Sequence, residues 1–329
     1  MIRKEDRIIG FDIARAVSII WVVLYHSIDY ANASYFYDHS AVKSLTYASL
    51  AIFTFLSGYL LALRYTFNKK GSILEFYKKR FIRFYPLFFI SSIILCLIGF
   101  NTWFNTAKGL MGLSPFWSPH PRTMWYCAML IPLYLIMPLW SNGSLLSKIL
   151  KFVGTMAIIA IIHMVFHSVV PRTIFYFPFF FLGIVVAQYN RDRFLAASKT
   201  PKYVFLLFTL FVLIWIIQLL TNNSLLKWVN SVLGMVALLF LYMYIGEKMK
   251  NNKCFLRVIS LLSYASLSIY LFHREVDEIL LFFWQPSNPY ALFLYVGLLG
   301  LLITIILAYW IQKGYDKILH IKKQKRVLC

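Results

Sequence analysis

The amino-acid sequence predicts an all-α, polytopic membrane protein: about ten transmembrane helices in one bundle, with both termini in the cytoplasm. Hydrophobic residues make up 60% of the 329 residues and charged residues 14%, a composition typical of integral membrane proteins. Apolar runs of about twenty residues, the length that crosses a bilayer as a helix, recur along the whole chain. Lys and Arg are concentrated in alternate connecting segments. We therefore expect one membrane domain over residues 1–329 and no additional extracellular domain.

The spans follow one another in the order of the apolar runs. The first, 8–28, is long, contains Asp12 and Arg15, and lacks a small-residue cleavage site at its end. We expect it to remain as a helix and not to be removed as a signal peptide. The other nine spans are predicted at 45–65, 84–100, 124–140, 149–168, 174–189, 203–221, 228–246, 257–273 and 291–312. An even number of spans places both termini on one side.

The distribution of basic residues predicts which side that is. The net charge is +21, and 26 of the 33 Lys and Arg residues fall on the side of the N-terminus, including those of a basic tail at 313–329. Six fall on the opposite side, and Arg15 lies within a span. By the positive-inside rule both termini are cytoplasmic. The positive charge is thus explained by topology, and the pattern argues against nucleic acid as a partner.

Ionisable residues within the first span are the best candidates for catalysis, because such groups are costly in a membrane and usually functional. Arg15 and His26 lie eleven residues apart. On a helix they point within about 20° of each other and are separated by about 16 Å along the axis. Asp12, three residues before Arg15, falls on the same face, where it can pair with the arginine.

The segment from Arg64 to Arg83 is the longest on the predicted cytoplasmic side and contains the strongest candidate anion site. Its second half, 72–83, alternates apolar residues with basic ones such as Lys79, a pattern typical of a helix in the membrane interface. One interpretation is that it binds anionic lipid headgroups. The other places Arg80 and Arg83 on one helical face at the start of the third span, where a helix N-terminus favours phosphate. Two guanidinium groups suit a soluble ligand with several phosphates, such as coenzyme A.

Two segments on the predicted outer side carry groups that suit a carbohydrate. The loop 101–123 mixes aromatic rings with hydrogen-bonding groups, among them Trp117 and His120. Aromatic residues also anchor proteins at the membrane interface, which is the other interpretation of this loop. After the ninth span, His273 and Glu275 belong to an acidic cluster that either orients hydroxyl groups or is simply solvated.

Short motifs occur in a recognisable order. Phe11–Ala16 contains Arg15, which is followed by ten residues and then His26, and the motif Arg80–Arg83 follows the second span. Weaker marks are 53–60, Trp125–Tyr126 before Pro138, 179–183 and 266–273. With these motifs the chain resembles, over nearly its whole length, the acyltransferase-3 membrane proteins, which include bacterial O-acetyltransferases of surface polysaccharides. It departs from them at Ala16, where many members have glycine, and in lacking the esterase-like extracellular domain of some relatives.

The resemblance implies a ten-helix core in the bacterial inner membrane that takes an acyl group, most simply acetyl, from cytoplasmic acyl-CoA. The acceptor is commonly a sugar hydroxyl of a surface polysaccharide or of its lipid-linked precursor. His26 would be the essential catalytic histidine, Arg15 would contact the acyl-pantetheine arm, and Arg80 and Arg83, with Lys79 beside them, would hold the coenzyme A phosphates. The candidate acceptor-binding residues, all aromatic or polar, are Trp117, His120, Trp125, Tyr126, His273 and Glu275.

Several alternatives stay open at this point. His26 acts either as a general base towards the acceptor hydroxyl or as the site of an acyl-histidine intermediate; Arg15 stabilises developing negative charge, and Asp12 orients Arg15. The rival function is a transporter of a glycan intermediate, with the same three residues as a relay. No inverted repeat is visible, and such a carrier has no need of a polyphosphate site. His163 and His167 lie four residues apart without an evident third ligand, so no metal site is predicted.

Overall fold

The computed structural model describes residues 7–30, 34–67 and 70–325, and this part of the chain is helical and contains no strand. Its α-helices, numbered in chain order, are α1 Ile9–Tyr30, α2 Ser34–Asp38, α3 Ser40–Arg64, α4 Lys70–Leu97, α5 Trp103–Leu110, α6 Trp125–Ser141, α7 Leu145–Phe166, α8 Pro171–Tyr189, α9 Arg191–Lys199, α10 Pro201–Thr221, α11 Ser224–Lys248, α12 Lys253–Phe283, α13 Pro289–Phe293 and α14 Leu301–Lys325. A π-helical segment, Leu294–Gly300, joins α13 to α14.

Helix length and composition confirm the predicted fold class. Within the described ranges nine helical stretches are long and apolar enough to cross a bilayer, and the shorter apolar helix α6 is a tenth candidate. They coincide with the ten predicted spans. The side on which the termini lie stays a prediction, and residues 326–329 of the basic tail lie outside the described residues.

Two predicted boundaries are wrong in the same way, since helices continue through charged segments. The segment 72–83 is not a separate interfacial helix, because α4 runs without interruption from Lys70 into the third span. The ninth span does not end at His273, because α12 continues to Phe283. Hydropathy marks where side chains become polar, whereas a helix ends only where its backbone hydrogen bonds end.

The chain divides into two units, residues 1–52 with 196–329 and residues 53–195. In the first unit, α1 packs against α11 and α12, and α12 packs against α14. The contact between α1 and α11 is close: a Cβ on Gly10 would lie 2.5 Å from the Met243 Cα, and one on Gly246 would lie 2.6 Å from the Gly10 nitrogen. Small residues at such crossings let membrane helices approach to backbone contact. This contact holds the first turn of α1 against α11.

The second unit contains α4 to α8 and the end of α3. Its core is aromatic, with Trp140, Tyr176, Phe177 and Phe180 buried. The prediction of one domain over 1–329 stays a prediction.

Candidate active site

Two histidines meet inside the first unit. The Nδ1 atom of His26 on α1 lies 2.8 Å from the Nε2 atom of His273 on α12. The ring planes differ by 5°, and the ring centroids are 5.0 Å apart. Because the centroids are much farther apart than the two nitrogens, the rings meet edge to edge, and the hydrogen bond lies near both ring planes. Both side chains are buried, with 9% of His26 and none of His273 exposed.

A backbone carbonyl decides which nitrogens carry the protons. The Nδ1 atom of His273 lies 2.8 Å from the carbonyl oxygen of Tyr270. A carbonyl only accepts, so His273 Nδ1 is protonated and, in the neutral ring, its Nε2 is an acceptor. His26 therefore donates from Nδ1, and the lone pair of its neutral ring is on Nε2. The arrangement presents the Nε2 atom of His26 as a proton acceptor.

A buried arginine adjoins this pair. Arg274 on α12 is 3% exposed, and its Nη2 atom lies 3.1 Å from the Asp29 carboxylate near the end of α1. Its Nη1 atom donates to the carbonyl oxygen of His26 at 3.4 Å, and its Cζ atom lies 4.6 Å from the ring centroid of Tyr30. The Tyr30 hydroxyl donates to Glu278 at 2.7 Å. These contacts join the C-terminal halves of α1 and α12 around His26.

The expectation that the segment 273–278 is a loop is wrong, whereas a role of His273 and Glu275 in acceptor binding stays a prediction. The segment is part of α12, and Glu275 is 5% exposed. Asp277 is fully buried, and neither of its carboxylate oxygens makes a hydrogen bond to a described residue. A Cβ on Gly300, in the π-helical segment, would lie 3.0 Å from the Asp277 Oδ1 atom. The charges are tolerated there because the protein surrounds them.

At the other end of α1, Asp12 has two partners that its spacing from Arg15 did not suggest. Its Oδ2 atom lies 2.6 Å from the Nε atom of Arg7, and its Oδ1 atom accepts from the Ser263 hydroxyl at 2.6 Å. Arg7 also donates to the Ser260 hydroxyl at 2.7 Å. Asp12 thus ties the beginning of α1 to α12. Arg15 lies one turn further along α1 and is partly buried.

The predicted phosphate-binding residues lie on α4 in the second unit. Lys79 is exposed and pairs with Glu75 at 2.5 Å. Arg83 is exposed, whereas Arg80 is partly buried and its Cζ atom lies 5.7 Å from the ring centroid of Tyr65. The Nε atom of Arg80 is buried and makes no hydrogen bond to a described residue. A donor of this kind suits an anionic ligand.

The supposed contribution of a helix N-terminus to this site is wrong. The first turn of α4 is at Lys70, ten residues before Arg80. The free amide groups of a helix lie within its first turn, so they are too far along the chain to act with Arg80 and Arg83. Any phosphate contact there depends on side chains.

The aromatic candidates of the second unit divide into two groups. Tyr126 is buried, and its hydroxyl lies 3.1 Å from that of Thr54, so it belongs to the core. Trp117 is half exposed. The ring of His120 lies 6.4 Å from that of Trp125, between their centroids. His120 has a buried Nδ1 atom without a hydrogen bond to a described residue.

The buried surroundings of His120 determine its protonation. Burial, together with the nearby cations Arg172 and Lys108, lowers the pKa of His120 to about 4. Arg172 also lies over Trp125, with 4.9 Å between its Cζ atom and the ring centroid. At neutral pH His120 is an uncharged hydrogen-bonding group beside an aromatic ring and a cation.

Sequence reasoning missed Arg7, Asp29, Arg172 and Arg274, and it gave His273 a different role. A signal existed for His273, because it ends the motif 266–273 that shares the family resemblance. No local pattern indicates that it meets His26, from which 247 residues separate it. Among the described residues, no three His, Cys, Asp or Glu side chains are grouped so as to hold a metal ion.

Comparison with known proteins agrees with the motif order. A family model described as an acyltransferase domain matches residues 8–313, nearly the whole chain. No curated protein and no solved structure matches the chain. The match includes α1 with His26, α4 with its arginines and α12 with His273. The chain therefore belongs to the acyltransferase-3 family of membrane proteins.

Proposed function

We propose that this membrane acyltransferase transfers an acyl group, most simply acetyl, from cytoplasmic acyl-CoA to a sugar hydroxyl of a bacterial surface polysaccharide or its lipid-linked precursor. The observation that carries the proposal is the hydrogen-bonded pair of His26 and His273, with its proton direction set by the Tyr270 carbonyl. This pair supplies what acyl transfer to a hydroxyl needs, a neutral imidazole whose lone pair is directed by a second group. We place the enzyme in the bacterial inner membrane.

In the proposed reaction His26 is the general base. The acceptor oxygen bonds to the thioester carbonyl carbon while its proton passes to His26 Nε2. The carbon–sulfur bond then breaks, and the leaving thiolate takes the proton from Nε2. While His26 is charged, its Nδ1–H remains bonded to His273, which stabilises the imidazolium ion. A general base in this position contributes about 10²–10⁴ in rate.

Two sets of residues are proposed to bind the acyl-CoA donor. Arg80 and Arg83, with Lys79 beside them, bind the phosphates of coenzyme A, and the buried, unbonded Nε atom of Arg80 supports this assignment. Arg15 contacts the acyl-pantetheine arm and stabilises negative charge on the carbonyl oxygen. Asp12, held by Arg7 and Ser263, is a positioning residue for α1. Trp117, His120, Trp125 and Arg172 are proposed acceptor contacts.

The first test needs no knowledge of the acceptor. Detergent-purified protein is titrated with a panel of short acyl-CoAs, and the wild type is compared with Arg80→Ala/Arg83→Ala. The control is Arg193→Ala/Lys202→Ala, which removes two exposed cations elsewhere on the predicted cytoplasmic side. Saturable binding should be lost in the first variant and kept in the control. Equal loss in both would mean that only the general positive charge attracts the ligand.

A second measurement separates an enzyme from a carrier. Release of free coenzyme A should require His26, so His26→Ala should bind acyl-CoA and release none. A folded wild type that binds no acyl-CoA would overturn the proposal and favour transport of a glycan intermediate. If a radiolabelled acyl group were found covalently bound to His26, the mechanism would pass through an acyl-histidine intermediate and direct transfer would be excluded as the sole route.

A further inference from the structure

A groove between α12 and α14 lies outside the site described above. It has a volume of about 530 Å³. One wall is a single face of α12, with Arg257, Ser260, Leu261 and Tyr264 at helical spacing, and the other wall is Tyr309 with Lys313, one turn apart on α14. The walls combine apolar side chains with two exposed cations.

The two cations occupy corresponding positions at the ends of uncharged stretches. Arg257 is the last charged residue of α12 before the uncharged stretch 258–272, and Lys313 is the first charged residue of α14 after the uncharged stretch 301–312. Both positions therefore mark the boundary between hydrocarbon and headgroups. Exposed Trp310 and partly buried Tyr309 beside them are typical of this boundary.

The carboxylates near the groove, Asp12 and Asp316, already have hydrogen-bond partners within the protein. Asp316 accepts from the Tyr264 hydroxyl at 2.6 Å and from the Gln312 amide at 3.2 Å. A third cation, Arg7, bonds to Ser260 on the groove wall while it pairs with Asp12. Lys313 contacts aromatic faces, with its Nζ atom 4.8 Å from the Trp310 ring centroid. The groove thus has an excess of positive charge at its polar end.

We propose that this groove binds one anionic phospholipid of the bilayer. The headgroup phosphate lies between Arg257 and Lys313 and accepts hydrogen bonds from them, and one acyl chain follows the apolar wall at Leu261. An amphiphile is favoured over a free phosphate because most of the groove is apolar, and an anionic lipid over a zwitterionic one because of the two cations. The site is distinct from the cations of α4 and does not depend on the proposed reaction.

Native mass spectrometry of the delipidated full chain tests the proposal. The protein is titrated with phosphatidylglycerol or phosphatidylcholine, and the fraction carrying one lipid is measured. Removing a cationic side chain that contacts the headgroup should weaken phosphatidylglycerol binding about fivefold for each cation. Arg257→Gln/Lys313→Gln should therefore lose phosphatidylglycerol selectively, whereas Arg193→Gln/Lys202→Gln, with the same charge change, should retain it.

A second variant tests the apolar wall of the groove, so that the proposal can still be tested if the double variant does not fold. Leu261→Trp fills the groove and should reduce binding of both lipids. Equal binding of the two lipids by the wild type would overturn the proposal, as would equal losses in the groove variant and its control. Displacement of the lipid by inorganic phosphate at matched concentration would overturn it too, since the site would then be a phosphate site.

Discussion

At the scale of single residues, the direction of the hydrogen bond between His26 and His273 depends on one backbone oxygen. The Tyr270 carbonyl accepts from His273, which in turn makes His26 a donor at Nδ1 and a base at Nε2. Imidazole alone populates both tautomers, so this contact supplies the selection. In the proposed reaction His273 acts through His26 and is a positioning residue.

Replacing His273 tests this role. His273→Gln keeps an acceptor for the His26 Nδ1–H, whereas His273→Leu removes it and leaves a buried donor without a partner. We expect the leucine variant to lose about 10²-fold or more in turnover, the glutamine variant to recover part of that loss, and acyl-CoA affinity to stay unchanged in both. The measurement is the pH dependence of coenzyme A release beside acyl-CoA binding. Equal activity of the two variants would contradict the assignment.

The pKa of His120 predicts a dependence of stability on pH. The folded protein protonates His120 only near pH 4, whereas the unfolded chain does so near pH 6.5. Between these values the unfolded state binds the additional proton, so the folded state loses stability as the pH falls. From about pH 7 to about pH 5 the melting temperature of the wild type should fall more than that of His120→Asn. The control is His167→Asn. If this replacement changed the pH dependence of the melting temperature as much as His120→Asn does, the assignment to His120 would be contradicted.

At the scale of helices, the spans could be predicted from the sequence but two of their ends could not. A run of about twenty apolar residues is long enough to cross the bilayer whether its side chains face lipid or other helices, which is why the spans are found. The charged end of α12 is buried because Arg274 meets Asp29 and Tyr30 of α1. That compensation is long-range, so hydropathy ends the helix at the first charge. His26 and Arg15 could be proposed as a pair from the sequence because both lie on one helix.

Two of the weaker family motifs are in contact. A Cβ on Gly183 of α8 would collide with the backbone of Phe55 on α3, and one on Gly58 of α3 would collide with the backbone of Phe180 on α8. The motifs 53–60 and 179–183 therefore share a structural reason, the close crossing of two helices within the second unit.

Gly183→Ala should destabilise the protein by about 1–3 kcal/mol, because the added methyl group meets backbone that cannot move aside. Gly154→Ala is the matched control, since a Cβ there meets open space in α7. In a helix interior that change should be neutral or stabilising by up to about 1 kcal/mol. Thermal melting in detergent measures both. Equal melting temperatures for the two variants would argue against a tight crossing.

At the scale of the whole molecule, native cysteines report the predicted topology. Cys254 is exposed near the start of α12, whereas Cys96 and Cys127 are buried. If both termini are cytoplasmic, a membrane-impermeant maleimide should label Cys254 only after the membrane is opened. Cys329 lies outside the described residues and is replaced by serine throughout.

The opposite side supplies the control. Ser287 is exposed between α12 and α13, and Ser287→Cys should be labelled in intact cells. Labelling of Cys254 in intact cells, with Ser287→Cys protected, would invert the topology.

The distance along the chain between His26 and His273 has a consequence for biosynthesis. The ribosome adds roughly 5–20 residues per second, so about 12 to 50 seconds separate their translation. During that interval a nascent chain carries His26 and Asp29 in the membrane without α12. In the proposed reaction full turnover requires His273, so it begins only after α12 has been inserted. The unshielded polar face of the unfinished chain is also a feature by which insertion factors and membrane proteases can distinguish unfinished from completed protein.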